Sequence, residues 1–398
     1  MATLRPFRAL RPTNANAGAI AAVPYDVVNT DEARALANGN PLSFLRVSRA
    51  ELELPPGVDP YLPAVYDRAV ANFARLRQSM VLEAEPSLYL YKLRMGAHEQ
   101  TGLAACWSLD EYGNDVIKKH EKTRRDKEDD RTRHMIALKA QTGPVFLTYR
   151  ASPDVDAIAR RTTALPPLID FNAADGVRHT IWRVSRADCG ALVSAVGRVP
   201  TLYIADGHHR AASAARTRTE LQGAGESAAF LAVAFPDDQV QILPYNRIVK
   251  TLGTLTPVEF ERAVGERFDV VDGPASPVRR GDISMYFGGK WQTLRARALP
   301  ANDAIRSLDV SVLQEQFLAP VLGIVDVTTD KRIDFVGGAR GTRELENLVD
   351  AGKAVAAFSM FPVTVADLIT VADAGAVMPP KSTWFEPKLR DGLLIHLI

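Results

Sequence analysis

The sequence has few cysteines, almost no net charge and no long hydrophobic run. Its two cysteines, Cys106 and Cys189, lie far apart and in no Cys-x-x-Cys spacing, which excludes a disulfide framework and a cysteine zinc site. This usage is typical of a reducing compartment, so we expect a cytoplasmic protein. No stretch approaches the ~18 apolar residues that a membrane-spanning helix needs, so we expect no membrane association.

Positive and negative side chains nearly cancel, with 48 Lys and Arg against 47 Asp and Glu and a net charge of +1. Such a chain has no overall field that recruits nucleic acid, and no helix-turn-helix is recognisable, so we expect no nucleic acid partner. The P-loop pattern Gly-x-x-x-x-Gly-Lys-[Ser/Thr] is also absent. Lys381-Ser382-Thr383 imitates its end, but no glycines precede it and no helix pattern follows.

The length of 398 residues exceeds one ordinary core, and 46% hydrophobic with 24% charged residues is a globular composition. Short apolar segments alternate with helical ones from Val145 onward, which predicts an α/β or mixed α+β protein with a mixed sheet. The order of predicted helices and strands changes after residue 254. We therefore predict a main α/β portion over 1–254 and a smaller α+β portion over 255–398.

One stretch stands out, Thr201-Leu-Tyr-Ile-Ala-Asp-Gly-His-His-Arg210. It predicts a short strand, a turn at Asp206-Gly207 and a helix that starts in the alanine-rich segment after Arg210. The first N–H groups of a helix lack partners within the helix and carry a partial positive charge, so a strand, a glycine and a helix form an anion-binding layout. We therefore predict phosphate binding at this turn.

A second stretch, Ile117 to His134, is dominated by charge. It predicts a strand end followed by a charged helix with Glu121 and Arg125 at i,i+4 spacing, which on a helix surface is usually only a solvated pair. Yet His120-Glu121-Lys122-Thr123 would also place a carboxylate, a cation and a hydroxyl at a strand end, where open sheets hold ligands. Both interpretations stay open.

Other segments predict a framework around these two turns. Ser87–Arg94 and Gln100–Leu109 predict a β-hairpin across Gly96, and Leu42–Val47 predicts a short strand. Gly223, Gly225 and Ala228 match Gly-x-Gly-x-x-Ala, but these residues end a helix and precede a strand, so we predict no dinucleotide site there.

Five motifs resemble those of the family named domain of unknown function 1015. They are Arg5-Pro-Phe-Arg-Ala-Leu-Arg11, Pro24-Tyr-Asp-Val27, His120-Glu-Lys-Thr123 with Lys127-Glu-Asp-Asp-Arg131, Ala205-Asp-Gly-His-His-Arg210 and Met378-Pro-Pro-Lys-Ser-Thr383. Some members look like free serine kinases, and the Asp206–Arg210 turn is similar to the Gly-x-His-Arg turn of the ParB and sulfiredoxin superfamily. The resemblance therefore implies a ParB/sulfiredoxin-like core. His208 stands where sulfiredoxins carry a reactive cysteine, which argues against redox repair.

The resemblance and the two turns together predict a phosphotransferase. It would move a phosphoryl group from ATP or ADP to the hydroxyl of a small metabolite, with free L-serine, giving O-phosphoserine, as the acceptor implied by the family. Phosphoryl transfer needs cations over the phosphates, a metal that bridges them and a carboxylate that receives the hydroxyl proton. We therefore infer Mg²⁺ as cofactor and expect Asp206 to bind it.

Residues of both turns, with two flanking motifs, are the candidates. The catalytic candidates are Glu121, Asp206 and His209; the phosphate-binding ones are Gly207, His208, Arg210, Lys122 and Thr123; the substrate-binding ones are Tyr25, Asp26, Lys381, Ser382 and Thr383. Two alternatives remain: a non-catalytic, ParB-like nucleotide-binding regulator, and a metal-dependent hydrolase using His179, His208, His209 and acidic residues. The partners would be a nucleotide and a small molecule; the oligomeric state stays open.

Overall fold

The computed structural model describes residues 2–297, 300 and 303–398 and has mixed α and β structure. The strands, in chain order, are β1 (Leu4–Arg5), β2 (Ala9–Pro12), β3 (Met80–Leu82), β4 (Tyr89–Met95), β5 (His98–Ser108), β6 (Ile117–Lys118), β7 (Ala140–Gln141), β8 (Val145–Tyr149), β9 (Ile169–Asn172), β10 (Arg178–Arg183), β11 (Leu202–Asp206), β12 (Ala229–Pro236), β13 (Gln241–Leu243), β14 (Tyr245–Val249), β15 (Phe268–Asp272), β16 (Asp282–Phe287), β17 (Lys290–Ala296), β18 (Ile333–Gly337), β19 (Ala356–Ser359), β20 (Trp384–Glu386) and β21 (Ile395–Leu397).

The helices, in the same order, are α1 (Asn14–Ile20), α2 (Thr30–Ala37), α3 (Leu45–Ser48), α4 (Pro63–Arg77), α5 (Leu109–Gly113), α6 (Arg125–Leu138), α7 (Pro153–Thr163), α8 (Arg186–Val196), α9 (His208–Glu220), α10 (Pro257–Arg267), α11 (Asp309–Leu313), α12 (Ala319–Leu322), α13 (Gly341–Asp350) and α14 (Val365–Asp373). Short 3-10 turns lie at Ala50–Glu53, Asp237–Gln239 and Gly338–Arg340, and a π turn at Gln314–Leu318. Among the described helices, none combines the length and the apolar character that a bilayer crossing requires.

The chain forms two compact units, which we call unit 1 and unit 2. Unit 1 comprises Met1–Val240 and Pro387–Ile398, and unit 2 comprises Gln241–Glu386. The C-terminal segment of the chain therefore belongs to the same unit as the N-terminal one. The division into a main portion over 1–254 and a smaller portion over 255–398 stays a prediction.

Unit 1 is built on a large mixed sheet with strand order β6-β11-β8-β12-β5-β4-β10-β9, with β1 also paired to β5. Every residue of β12 is buried, as its uninterrupted apolar sequence requires of a strand covered on both faces. A smaller sheet, β3-β2-β21-β7, joins the N-terminal and C-terminal segments of the unit. The predicted mixed class with a mixed sheet is thus confirmed.

Strands β6 and β11 lie next to each other and run parallel, with Ile117 opposite Leu202 and Lys118 opposite Tyr203. The chain leaves β6 through His120 to Thr123, and it leaves β11 through Gly207 into α9. Because the carboxyl ends of parallel strands meet at one edge of a sheet, both charged turns lie at the same edge. The two charged turns are therefore neighbours in the sheet.

Unit 2 contains an antiparallel sheet with strand order β15-β17-β16-β19-β14-β18, and a separate ribbon of β13 and β20. One face of this sheet packs on a core that includes Phe260, Phe317 and Phe358. Helix α13 covers part of the other face through Leu345, which packs with Ile248 and Tyr286. Unit 2 is therefore a layered α+β structure with its own hydrophobic cores.

Local predictions had mixed outcomes. The hairpin is confirmed, since β4 and β5 pair antiparallel from Tyr89↔Ala104 to Met95↔His98. The predicted strand over Leu42–Val47 is wrong, because Leu45–Ser48 forms α3 with Leu45 and Val47 buried. A short apolar run does not distinguish a buried helix from a strand by periodicity. The charged helix begins only at Arg125, so Glu121 lies before it in the loop.

Candidate functional site

The turn between β11 and α9 depends on Gly207. Its φ of +91° lies in the left-handed region, and a Cβ atom at this position would lie 3.4 Å from Cα of Val145 on the neighbouring strand β8. Glycine is favoured by both the positive φ and the close approach. Gly207 is the N-cap of α9, so the chain turns directly from the strand into the unpaired N–H groups of the helix.

The two histidines that open α9 hold the loop that follows β6. Nε2 of His208 accepts the backbone N–H of His120 at 3.4 Å, and Nε2 of His209 accepts the backbone N–H of Arg124 at 3.0 Å. An acceptor nitrogen carries no proton, so both imidazoles are neutral with the hydrogen on Nδ1. Together they fix the first and last residues of the segment 120–124, which contains Glu121.

Burial keeps these imidazoles neutral. Burial, reinforced by the neighbouring His120, holds the pKa of His208 well below its usual value, and burial also lowers the pKa of His209. The ring of His120 packs edge to face on that of His208, with 4.5 Å between centroids, and burial lowers the pKa of His120 to about 4. The two helix-opening histidines therefore add no positive charge here near neutral pH.

Glu121 lies beside His208. Its Oε2 is 3.7 Å from Nδ1 of His208, the nitrogen that carries the hydrogen, and its side chain is 46% exposed. The carboxylate therefore has a neutral donor on one side and is accessible to a ligand. Such a group is suited to accept a proton from a bound hydroxyl.

Asp206 is held at the end of β11 by two donors. Its Oδ1 accepts the N–H of Gly207 at 2.8 Å, and its Oδ2 accepts Nζ of Lys388 at 2.9 Å. Burial by itself would raise the pKa of Asp206, but Lys388 and then Arg210 outweigh it, so the pKa lies well below its usual range. Asp206 is therefore ionised, and its side chain stays 32% exposed.

Arg210 is buried, and its contacts are with other residues of unit 1. It donates to the carbonyl oxygen of Pro144 at 2.7 Å and lies 3.8 Å from the carboxylate of Asp26. Burial opposes its charge, but Asp391, Asp26 and Asp206 together raise its pKa. Arg210 thus links α9 to the start of β8 and to the N-terminal loop, and its predicted phosphate contact stays a prediction.

Tyr25 and Asp26 lie next to this arginine in different environments. The guanidinium of Arg131 lies 4.2 Å from the centroid of the buried Tyr25 ring, and Arg131 is paired with Asp130 at 2.7 Å. The carboxylate of Asp26 remains 43% exposed. Asp26 is therefore the more accessible of these two predicted substrate ligands.

The remaining candidates of the first turn differ in their contacts. Lys122 is exposed. The hydroxyl of Thr123 donates a short hydrogen bond to Glu128, which also lies 3.5 Å from Arg216 on α9. Thr123 is thus engaged in linking the loop to α6, whereas Lys122 can reach a ligand.

His179 does not lie with the other histidines at the strand ends. Nε of Arg390 donates to its Nε2 at 3.2 Å, and its Nδ1 is bonded to the hydroxyl of Tyr91 at 2.8 Å. Both ring nitrogens are occupied, so a metal could bind His179 only by breaking this network. Within the described residues, no group of three or more His, Cys, Asp and Glu side chains could hold a metal ion. His179 is part of a hydrogen-bond network with Tyr91 and Arg390.

Lys381, Ser382 and Thr383 belong to unit 2, whereas the residues described above belong to unit 1. The carbonyl oxygen of Lys381 accepts Arg247 at 3.1 Å, and Ser382 donates to the carbonyl of Pro379 at 2.5 Å. Their predicted role in substrate binding stays a prediction.

Sequence reasoning missed Lys388, which is 182 residues from its partner Asp206. It also missed Arg390 and Asp391, which lie on the same C-terminal segment of unit 1. Arg390 contacts His179, and Asp391 lies near Arg210. No local pattern marks such contacts. The family motif Met378–Thr383 ends five residues before Lys388 and is the sequence feature closest to these contacts.

Residues 4–311 match the family model described as "Protein of unknown function (DUF1015)". No curated protein sequence matches the chain. Among solved structures, the chain is similar to a variant of a free serine kinase in complex with ADP, at 15% identity and a TM-score of 0.39 over 74% of this chain and 92% of that one. A conserved hypothetical protein from Pyrococcus furiosus gives 15% and 0.38 over 74% and 95%, and C-terminally truncated SbnI from Staphylococcus aureus gives 11% and 0.40 over 74% and 87%.

Proposed function

The chain belongs to the DUF1015 family, as its motifs predict, and we propose that it is a phosphotransferase. It moves a phosphoryl group from ATP or ADP to the hydroxyl of a small metabolite. Free L-serine, which would yield O-phosphoserine, is the first acceptor to test because the resemblance in sequence motifs implies it.

One observation carries this proposal: the parallel pairing of β6 and β11 brings Glu121 beside the N-terminus of α9. The unpaired N–H groups after Gly207 and the helix dipole favour a phosphate at that point. Exposed Lys122 adds a mobile cation, and buried Arg210 adds a fixed positive charge. An anion and a proton acceptor can therefore share this edge of the sheet.

Glu121 acts as the base in this proposal. The acceptor hydroxyl oxygen forms a bond to the terminal phosphorus, the bond from that phosphorus to the bridging oxygen breaks, and the hydroxyl proton passes to Glu121. An ionised carboxylate suffices, because in a loose phosphoryl-transfer transition state the proton is taken late. Asp206 is the alternative base, but it is held by Lys388.

His208 and His209 serve this base by position. Their bonds to the N–H groups of His120 and Arg124 fix the loop, and the Nδ1–H of His208 faces the carboxylate of Glu121. We assign them to holding the base in place. Tyr25 and Asp26 lie beside Arg210, where the exposed Asp26 carboxylate suits the ammonium group of an amino acid acceptor.

One carboxylate of this site, that of Asp206, could hold Mg²⁺. Mg²⁺ needs only one or two protein carboxylates when nucleotide phosphates supply other ligands, and the partly exposed, ionised Asp206 is such a carboxylate. The ion would neutralise charge on the transferring phosphoryl group. Lys388 would keep Asp206 ionised and oriented.

Phosphorus NMR of the protein with Mg²⁺, L-serine and either ATP or ADP tests the proposal. We expect a phosphomonoester resonance to grow as the terminal phosphate resonance of one nucleotide declines, which also identifies the donor. Release of inorganic phosphate without a phosphomonoester would indicate a hydrolase. Nucleotide binding without any chemical change, whichever hydroxylated acceptor is added, would indicate a non-catalytic regulator.

A further inference from the structure

Unit 2 contains a buried arginine, Arg247, in the interior of its sheet. Arg247 lies on β14 between β18 and β19, and it is 3% exposed. Its guanidinium donates to the carbonyl oxygens of Tyr245, by a short bond, and of Lys381, at 3.1 Å. It also lies 5.5 Å from the centroid of the Phe335 ring.

None of these partners carries a negative charge. Among the residues that the structure describes, no carboxylate forms an ion pair with Arg247. Burial lowers its pKa to about 10, so the group remains positively charged at neutral pH. A buried charge without a counter-charge is costly, and replacing it with an apolar side chain is often neutral or stabilising. The two carbonyl oxygens therefore satisfy part of the guanidinium without balancing its charge.

A second cation lies on the same side of the sheet. Lys381 adopts a φ of +57°, which is uncommon for a residue with a side chain, and its ammonium lies 5.6 Å from the centroid of the Tyr245 ring. Within the described part of the chain, Lys381 also has no carboxylate partner. The loop that contains Lys381 thus contacts Arg247 through its backbone and carries a second positive charge on an exposed side chain.

Each of these two cations lies near an aromatic ring, Arg247 near Phe335 and Lys381 near Tyr245. The centroid of Tyr245 lies 5.8 Å from that of Phe335 and 5.0 Å from that of Trp384. Trp384 packs over Gly337, where a Cβ atom would come within 2.6 Å of the indole. Arg247 is buried, where a low local dielectric strengthens the attraction between a cation and an anion, whereas Lys381 is exposed and can be reached from solvent.

We propose that Arg247 and Lys381 form an oxyanion-binding site in unit 2 that takes the carboxylate or phosphate group of a small metabolite. The guanidinium supplies planar N–H donors that match either group, and the ammonium supplies a second charge. The bound anion provides the counter-charge that the fold omits. The site stands on residues of unit 2 alone and does not depend on phosphoryl transfer.

Amide hydrogen exchange of the full chain, with inorganic phosphate or acetate against chloride at equal ionic strength, tests the site locally. We expect either anion to slow exchange in peptides covering 245–249 and 378–384. Arg247→Met should weaken that response about tenfold to 100-fold, because charge-assisted hydrogen bonds are lost. Lys250→Met is the matched control, since Lys250 lies at the end of the same strand, exposed and paired with Asp334 at 2.9 Å, and it should leave the response intact.

The anions also identify the ligand class. Equal responses to acetate and phosphate indicate a carboxylate-type site, and a response to phosphate alone indicates a phosphate site; both support the proposal. Peptides covering 206–212 report the unit 1 turn separately, so a failure of one site is distinguishable from a failure of the other. If Arg247→Met does not fold, Lys381→Met should weaken the same local response.

Two results would overturn the proposal. One is a wild-type chain whose peptides 245–249 and 378–384 respond to neither anion. The other is an Arg247→Met chain that keeps the full response. An arginine with a purely structural role would give the first result, together with a lower melting temperature for Arg247→Met in anion-free buffer, whereas the proposal predicts an unchanged or higher one.

Discussion

Arg390 in unit 1 and Arg247 in unit 2 are equally buried, each at 3% exposure, yet their surroundings are opposite. Arg390 forms a short ion pair with Asp175 and donates to His179. Arg247 donates only to carbonyl oxygens. The same residue at the same depth thus has a carboxylate partner in unit 1 and, among the described residues, none in unit 2.

Under the proposal above, this difference separates charges that serve structure from charges that await a ligand. In unit 1, Arg131 is paired with Asp130, and Asp206 is paired with Lys388. Paired charges of this kind hold backbone segments in place, as the Asp206–Lys388 pair does at the end of β11. Arg247 also holds a distant loop through the carbonyl of Lys381, but its charge would be balanced only when an anion arrives.

The two units also differ in histidine content. All seven histidines lie in the segments of unit 1, and the sequence 241–386 contains none. Burial lowers the pKa of His120, His134 and His396 to about 4 each and that of His179 to about 3. An unfolded histidine titrates near pH 6.5. Between these values the unfolded chain binds more protons, so stability falls as the pH drops below about 6.5.

Acid should therefore unfold unit 1 selectively, which is the largest effect that we predict. Each such histidine removes up to about 1.4 kcal/mol per pH unit. Asp391 opposes this, because burial raises its pKa to about 6 and acid relieves its charge, but it is one group against four. In unit 2, Asp309 has its pKa raised to about 6 by burial, so mild acid should not weaken that unit. Hydrogen exchange at about pH 7 and pH 5 measures both units in one sample. Equal acid sensitivity of the two units would contradict the comparison.

The buried pair of Arg390 predicts the next largest effect. Asp175→Asn leaves Arg390 without its counter-charge and should lower the free energy of unfolding by about 2 kcal/mol, below the ~3 to 5 kcal/mol of a fully buried pair because Asp175 is half-exposed. Denaturant unfolding measures the change. The control is Asp269→Asn, which removes the exposed partner of Arg297 and should cost less than about 0.5 kcal/mol. Equal costs for the two substitutions would remove the distinction between paired and solvated charges.

The histidine contacts predict a smaller effect on turnover. His209→Asn removes the acceptor of the Arg124 N–H, so we expect about a tenfold lower turnover and faster exchange of the Arg124 amide. In His209→Gln, the side-chain oxygen can occupy the place of Nε2 and accept the same bond, so turnover should remain within about threefold of wild type. If glutamine performs no better than asparagine, His209 has another role, such as the catalytic one that its position in the sequence suggests.

The local parts of this structure could be predicted from the sequence, because their causes are local. The strand, Gly207 and helix follow from an apolar run, a glycine and an alanine-rich segment, and the hairpin follows from two alternating runs around Gly96. Partners distant in the sequence could not be predicted. Lys388 and Arg390 complete unit 1 from the far end of the chain, and the neutral state of His208 depends on burial and on a backbone N–H from another loop.

The most direct test of the central claim is the turnover of Glu121→Gln beside wild type, with nucleotide affinity measured on both proteins. Glutamine keeps the size of the side chain and cannot take the proton of the acceptor hydroxyl. We predict turnover lower by about 100-fold or more, with nearly unchanged nucleotide affinity. A Glu121→Gln protein with wild-type turnover would contradict the account and transfer the role of base to Asp206.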